Sequence, residues 1–193
     1  MGIIKLKNSK FESRNSKHSF TLIETIVVIA TVGLVLPALF AVVFAILQQH
    51  TKIQRLSIVK REGDYVLNVM ENVIRNYGQS VHSAIPPADN NKICQSRSQE
   101  EATYFKDKFN NWFRFYLNPS NNKIASESSV IGVVNLNSSQ TKINNFTIQC
   151  YRTGLYSPPV INISFTINYN TTSSRVEETA SLNYQTKVKL RSY

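Results

Sequence analysis

From Thr25 to Leu47 the chain carries no charged residue. At about 1.5 Å per residue, a helix of that length crosses the ~30 Å hydrocarbon core of a bilayer. A helix that is apolar on every side has no face to give to water, so lipid or other protein must cover it. One acid, Glu24, stands directly in front of the run, next to Leu22, Ile23 and Ile26. A carboxylate at the centre of a membrane helix costs about 2.5–3.5 kcal/mol, and less near an end. Two readings follow. Glu24 reaches the headgroups from the end of an ordinary anchor, or its charge meets a partner within the membrane.

The residues before the run are basic. Lys5, Lys7, Lys10, Arg14 and Lys17 against Glu12 give residues 1–19 a charge of +4 out of the formal +10, leaving +6 from Phe20 onward. A basic segment ahead of an apolar span is kept in the cytoplasm, which puts the remainder of the chain on the other side of the membrane. The run is longer than the apolar core of a secretory signal peptide, about 7–15 residues, and no A-x-A pattern closes it.

The string Ser19-Phe20-Thr21-Leu22-Ile23-Glu24 resembles the cleavage and methylation motif of type IV prepilins and pseudopilins. The resemblance implies that prepilin peptidase cuts between Ser19 and Phe20, removes residues 1–19 as a leader and exposes an N-terminus that is methylated at Phe20. It also implies assembly through the apolar helix with other pilin or pseudopilin subunits, on an inner-membrane assembly platform, with Phe20 and Glu24 as the pairing residues. An ammonium on Phe20 of one subunit would neutralise Glu24 of the next and fix their axial offset. Ser19 stands where the family usually has Gly; its small side chain still suits a narrow subsite, at some cost in efficiency. Within the span, Pro37 lacks an N–H and crowds the carbonyl of Gly33, which predicts a kink or loosening over Gly33–Pro37.

Past Gln48 the helical spacing persists while the composition turns polar. Ile53, Leu56, Val59, Gly63, Val66, Leu67, Met70, Val73, Ile74 and Tyr77 recur every three or four residues, one apolar stripe on an amphipathic helix. Gly78 is placed to end it. A leader (1–19), a membrane and assembly helix (20–47) and its amphipathic continuation (48–78) thus precede a globular domain (79–193). Residues 78–111 read as loop, with Pro86-Pro87-Ala88-Asp89-Asn90-Asn91 a solvated turn. After them the period becomes two. Strands are expected over Trp112–Leu117, Val130–Val134, Ile143–Tyr151, Ile161–Tyr169 and Leu182–Leu190, with a turn at Asn118–Asn122 and the last two strands forming a hairpin with one buried face. The expected fold is α+β: a long N-terminal helix packed on an antiparallel sheet. The order of elements and the closing strand look like the J-type minor pseudopilin of type II secretion and the W-type minor pilin of type IV pili.

Cys94 and Cys150 both fall in the part expected outside the cytoplasm, where an even pair points to one disulfide, although two buried thiols remain the alternative. His18, His50 and His82 have no metal spacing with them, and no phosphate loop or nucleophile elbow is present. No enzyme and no cofactor is expected. The mature charge, together with Trp112, Phe113, Phe115 and Tyr116, suggests a second function class, an anchored module contacting DNA or another ligand; against it, the basic residues are scattered and those aromatics fit a packed strand.

Overall fold

The computed structural model describes residues 21–154 and 156–190. The chain divides into two compact units, Met1–Ala45 and Ile46–Tyr193, and one helix, α1 (Leu22–Tyr77), contributes to both.

In the first unit, α1 begins with Thr21 as its cap. The Glu24 amide donates to Thr21 Oγ1 at 3.4 Å, and the Thr25 amide to the Thr21 carbonyl at 3.2 Å. Thr-x-x-Glu before an apolar run is a helix-start signature, and this bond is its first half. The threonine hydroxyls inside the run turn back on the helix: Thr25 Oγ1 donates to the Leu22 carbonyl and Thr31 Oγ1 to the Val28 carbonyl, both at 2.9 Å. Their polarity is thereby satisfied internally, as a membrane-spanning segment would require. α1 continues unbroken through Gly33 and Pro37.

In the second unit, Val59, Gly63, Val66, Met70 and Ile74 are the buried positions of α1. Their spacing of three and four residues places them on one face. Burial starts later than the stripe suggested. Ile53 and Leu56 are 66% and 40% exposed. At that level the helix meets the β-domain through a polar group: Arg55 Nη1 donates to the Glu178 carbonyl at 2.7 Å, and the guanidinium lies 4.9 Å from the Tyr169 ring centroid.

Two antiparallel sheets complete this unit. One has the order β1 (Ser80–His82), β3 (Tyr104–Lys106), β4 (Trp112–Asn118), β5 (Lys123–Ser128), β6 (Gly132–Asn135); the other runs β2 (Glu100–Glu101), β7 (Thr141–Tyr151), β8 (Val160–Tyr169), β9 (Ser181–Lys189). The core joins the α1 face to Phe105, Phe113, Phe115 and Ile124 of the first sheet and to Ile143, Ile161, Ile163, Phe165 and Ile167 of the second. The architecture is α+β, as expected. β8 and β9 form the expected hairpin, paired from Val160↔Lys189 to Asn168↔Ser181.

The expectation of loop over 78–111 is corrected: this segment holds β1, β2 and β3, each of two or three residues, too short to show a period. β5 was not anticipated either. Lys-Ile-Ala-Ser-Glu-Ser has little strand preference, and its pairing is imposed by the preceding turn. There Asn122, at φ +52°, donates its amide to the Asn118 carbonyl at 2.9 Å and turns β5 back along β4. The apolar run Val130–Val134 is only partly strand: Val130 and Ile131 form the hairpin tip, Gly132 adopts φ +80°, and β6 follows.

Candidate functional site

Two groups of residues bear on function. The first lies at the start of α1. Ser19 and Phe20, the expected processing, methylation and assembly positions, lie outside the described residues. Glu24 is exposed on the third helical residue, where the helix dipole favours an anion. Every residue from Thr21 to His50 is exposed, so this apolar segment is buried by none of the described residues. α1 is long and apolar enough, near the N-terminus, to cross a membrane. A Cβ built on Gly33 would meet no atom within 4 Å, so packing within the chain does not require glycine there.

The second group is in the β-domain. Cys94 and Cys150 form a disulfide with Cα atoms 5.5 Å apart, and both residues are fully buried. It ties the segment ahead of β2 to the end of β7. Cys94 sits at φ +63°, a conformation that non-glycine residues rarely adopt. Its main chain is held on both sides: its amide donates to Glu100 Oε2 at 2.6 Å, and its carbonyl accepts from Arg152 Nε at 3.1 Å.

The four aromatics singled out in the sequence do not act together. Phe113 and Phe115 point into the core, Phe113 stacked on Phe105 at 5.2 Å. Trp112 and Tyr116 alternate to the other face of β4, where Trp112 meets Tyr104 edge to face. Between them Arg114 ion-pairs with Glu127 at 2.6 Å and lies 5.3 Å and 4.5 Å from the centroids of Tyr104 and Tyr116. Burial lowers the Arg114 pKa, but the hydrogen bond and charge of Glu127 and the two tyrosines more than offset it, so the group is raised overall. The cation that would attract a phosphate is neutralised, and it occupies ring faces on which a base would stack.

Sequence reasoning missed two polar clusters. Buried His82 contacts Ser80 Oγ through Nε2 at 2.8 Å and the Ala88 carbonyl and Asn91 Oδ1 through Nδ1 at 3.1 and 2.7 Å. Two acceptors at Nδ1 assign it the proton. Asn91 also bonds the Ala84 and Pro86 carbonyls and the Ala88 amide, so the turn, mostly exposed as expected, is also a hydrogen-bonded loop closed on a histidine. The second cluster is Glu62 of α1, which accepts from the Ser138 amide at 3.0 Å, from Thr141 Oγ1 at 2.6 Å and from Ser138 Oγ. Burial pushes its carboxyl up, but these hydrogen bonds and nearby Arg61 outweigh that and hold it below the usual range. Neither cluster is a metal centre: among the described residues no group of three His, Cys, Asp or Glu converges.

No family model, no curated protein and no solved structure matches the chain.

Proposed function

We propose that this chain is a minor pilin-like structural subunit, processed by prepilin peptidase and assembled through its N-terminal helix into a type IV pilus, a secretion pseudopilus or a DNA-uptake filament. One observation carries the reading: Ser-Phe-Thr-Leu-Ile-Glu stands at the head of a fully exposed apolar helix whose continuation forms one wall of a β-domain core. A plain anchor would explain the apolar residues and an acid at their end, but not the whole Ser-Phe-Thr-Leu-Ile-Glu string. On this reading residues 1–19 face the cytoplasm, the β-domain lies outside it, and the partners are other pilin-like subunits, the assembly platform and the lipid bilayer. The disulfide agrees with an oxidising compartment.

The test is the N-terminus of the membrane-resident protein by mass spectrometry, in cells that carry prepilin peptidase. The reading requires a chain that starts at Phe20 and is N-methylated there. A chain that keeps Met1 in the presence of active peptidase overturns it.

A further inference from the structure

The two sheets have four open sides, and three are guarded. Beside β1 the chain itself adds a partner: the Ile93 amide donates to the Val81 carbonyl at 2.9 Å, and His82 bridges to Lys92. β2 is two residues long and both are glutamates. β9 carries Lys187 and Lys189. Short length, charge and covering chain are the usual devices that keep a strand edge from pairing with another protein. β6, at four residues the longest of the three short edges, has neither charge nor, among the described residues, a covering chain. From Ser129 to Asn137 there is no charged residue and no proline, and Val130 and Ile131 at the tip are 72% and 79% exposed.

The main chain of β6 can be read group by group. The Leu136 amide donates to the Ile124 carbonyl at 2.8 Å, which makes these two a hydrogen-bonded pair. Such pairs alternate along an antiparallel ladder. With the register Val134↔Ser126 and Gly132↔Ser128, those pairs are bonded, whereas Val133↔Glu127 and Asn135↔Ala125 are not. The N–H and C=O groups of Val133 and Asn135 therefore point away from β5, to the open side. Beside that edge, on the face that also carries Phe113, a groove of about 450 Å³ runs between β6 and the end of α1, lined by Val73, Tyr77, Phe113, Ile131, Val134 and Leu136. Its charged member, Asp107, already accepts from the Phe109 and Asn111 amides at 2.8 Å.

We propose that the edge of β6 is a strand-addition site for an extended, uncharged segment of another polypeptide. Val133 and Asn135 supply its main-chain hydrogen bonds, and the groove takes the apolar side chains it turns inward. Strand addition of this kind takes affinity from the backbone and specificity from alternate side-chain pockets. β6 itself carries no charge and the groove's carboxylate, Asp107, is already engaged, so a charged side chain turned into the groove would lose water and find no counterion. A second copy pairing β6 to β6 would make a dimer, which the test below reads separately.

The probe is a fluorescently labelled synthetic peptide of the sequence Ser129–Asn137, an uncharged strand former, titrated with the full chain in detergent micelles and read by anisotropy. Saturable binding is expected. Val133→Pro removes a donor that β5 does not use, so affinity should fall about tenfold or more while the melting curve is kept. Val133→Lys is the second variant should proline disturb the hairpin, and Val176→Lys, also exposed, should bind as wild type. Peptide carrying Asp in place of Val130 and Val134 should not bind. The proposal is overturned by absence of saturable binding, by equal binding to both Val133 variants, or by equal binding of the charged peptide. It is also overturned if light scattering shows a wild-type dimer that Val133→Pro dissolves, since the occupant is then a second copy.

Discussion

Gly63 of α1 and Tyr184 of β9 are fitted to each other: a Cβ at position 63 would lie 2.3 Å from Tyr184 Cε2 and 2.5 Å from Cζ. The ring cannot swing aside freely. It stacks on Phe165 at 5.2 Å, and its hydroxyl donates to the Lys60 carbonyl at 3.0 Å. Burial and the neighbouring Asp64 carboxylate push that hydroxyl up to about 12, so it stays a donor at any ordinary pH. Gly63→Ala is expected to cost about 1–3 kcal/mol, the range for overpacking a filled site. Tyr184→Leu should make room, so the double variant should lose less than the two single losses combined. Chemical denaturation of the three variants measures the coupling; simple additivity would show that the ring moves without cost.

That contact illustrates what the sequence could and could not disclose. Gly63 was legible as a member of the helix stripe because period 3.6 marks a face, but nothing in the period names the residue opposite. β8 and β9 were legible because Ile161 to Tyr169 and Leu182 to Leu190 alternate strictly. Lys123 to Ser128 does not alternate in hydrophobicity, and becomes a strand only because Asn122 turns it against β4. Likewise, Val130–Val134 was visible as an apolar run, yet the exposed edge of β6 is a property of strand order. The Ser19-Phe20-Glu24 string is local in sequence, so its resemblance needs no fold to be noticed, whereas His82 finds Asn91 through a folded loop.

The Cys94–Cys150 bridge closes a separation of 56 residues. In the chain-entropy account such a loop contributes about 4 kcal/mol. Replacing both cysteines by serine should lower the denaturation midpoint accordingly. It should also release Cys94 from its φ of +63°, seen as loss of amide protection around β2 in hydrogen exchange. An unchanged midpoint would mean that Glu100 and Arg152 hold the segment without the bridge.

Glu62 makes part of the stability depend on pH. Its folded-state pKa lies below the unfolded one, so the contribution is fully present above the ordinary glutamate range and is lost as pH falls through the folded value. The acid limb of the stability curve should therefore flatten in Glu62→Gln, with the 138–141 loop less protected at neutral pH. Identical acid limbs in the two proteins would place the protonated group elsewhere.

On the proposed reading, a narrow peptidase subsite takes the small side chain of Ser19. Ser19→Leu should leave the basic, full-length form in the membrane, visible as slower migration and an N-terminus at Met1. Normal trimming of this variant would mean that the peptidase reads some other position.

Assembly should depend on Glu24 while insertion does not. Removing the carboxylate makes the span more apolar, so Glu24→Leu should enter the membrane at least as well as wild type. The helix start should survive too, because the Glu24 amide, not its side chain, bonds Thr21. What the variant loses, on the proposed reading, is the counter-charge for a Phe20 ammonium on an adjacent subunit. An ammonium left unpaired in lipid is costly enough to shift an assembly equilibrium by orders of magnitude. Cleavage should persist, since the expected cut before Phe20 is four residues ahead of Glu24 in the sequence. The expected product is a processed, membrane-resident protein that neither crosslinks to other pilin-like subunits nor enters filaments. Glu24→Gln separates charge from shape: if it also fails, the pairing is ionic, whereas assembly of both variants at wild-type levels would reduce Glu24 to an acid at the end of an anchor, held there by its place in the first turn of the helix.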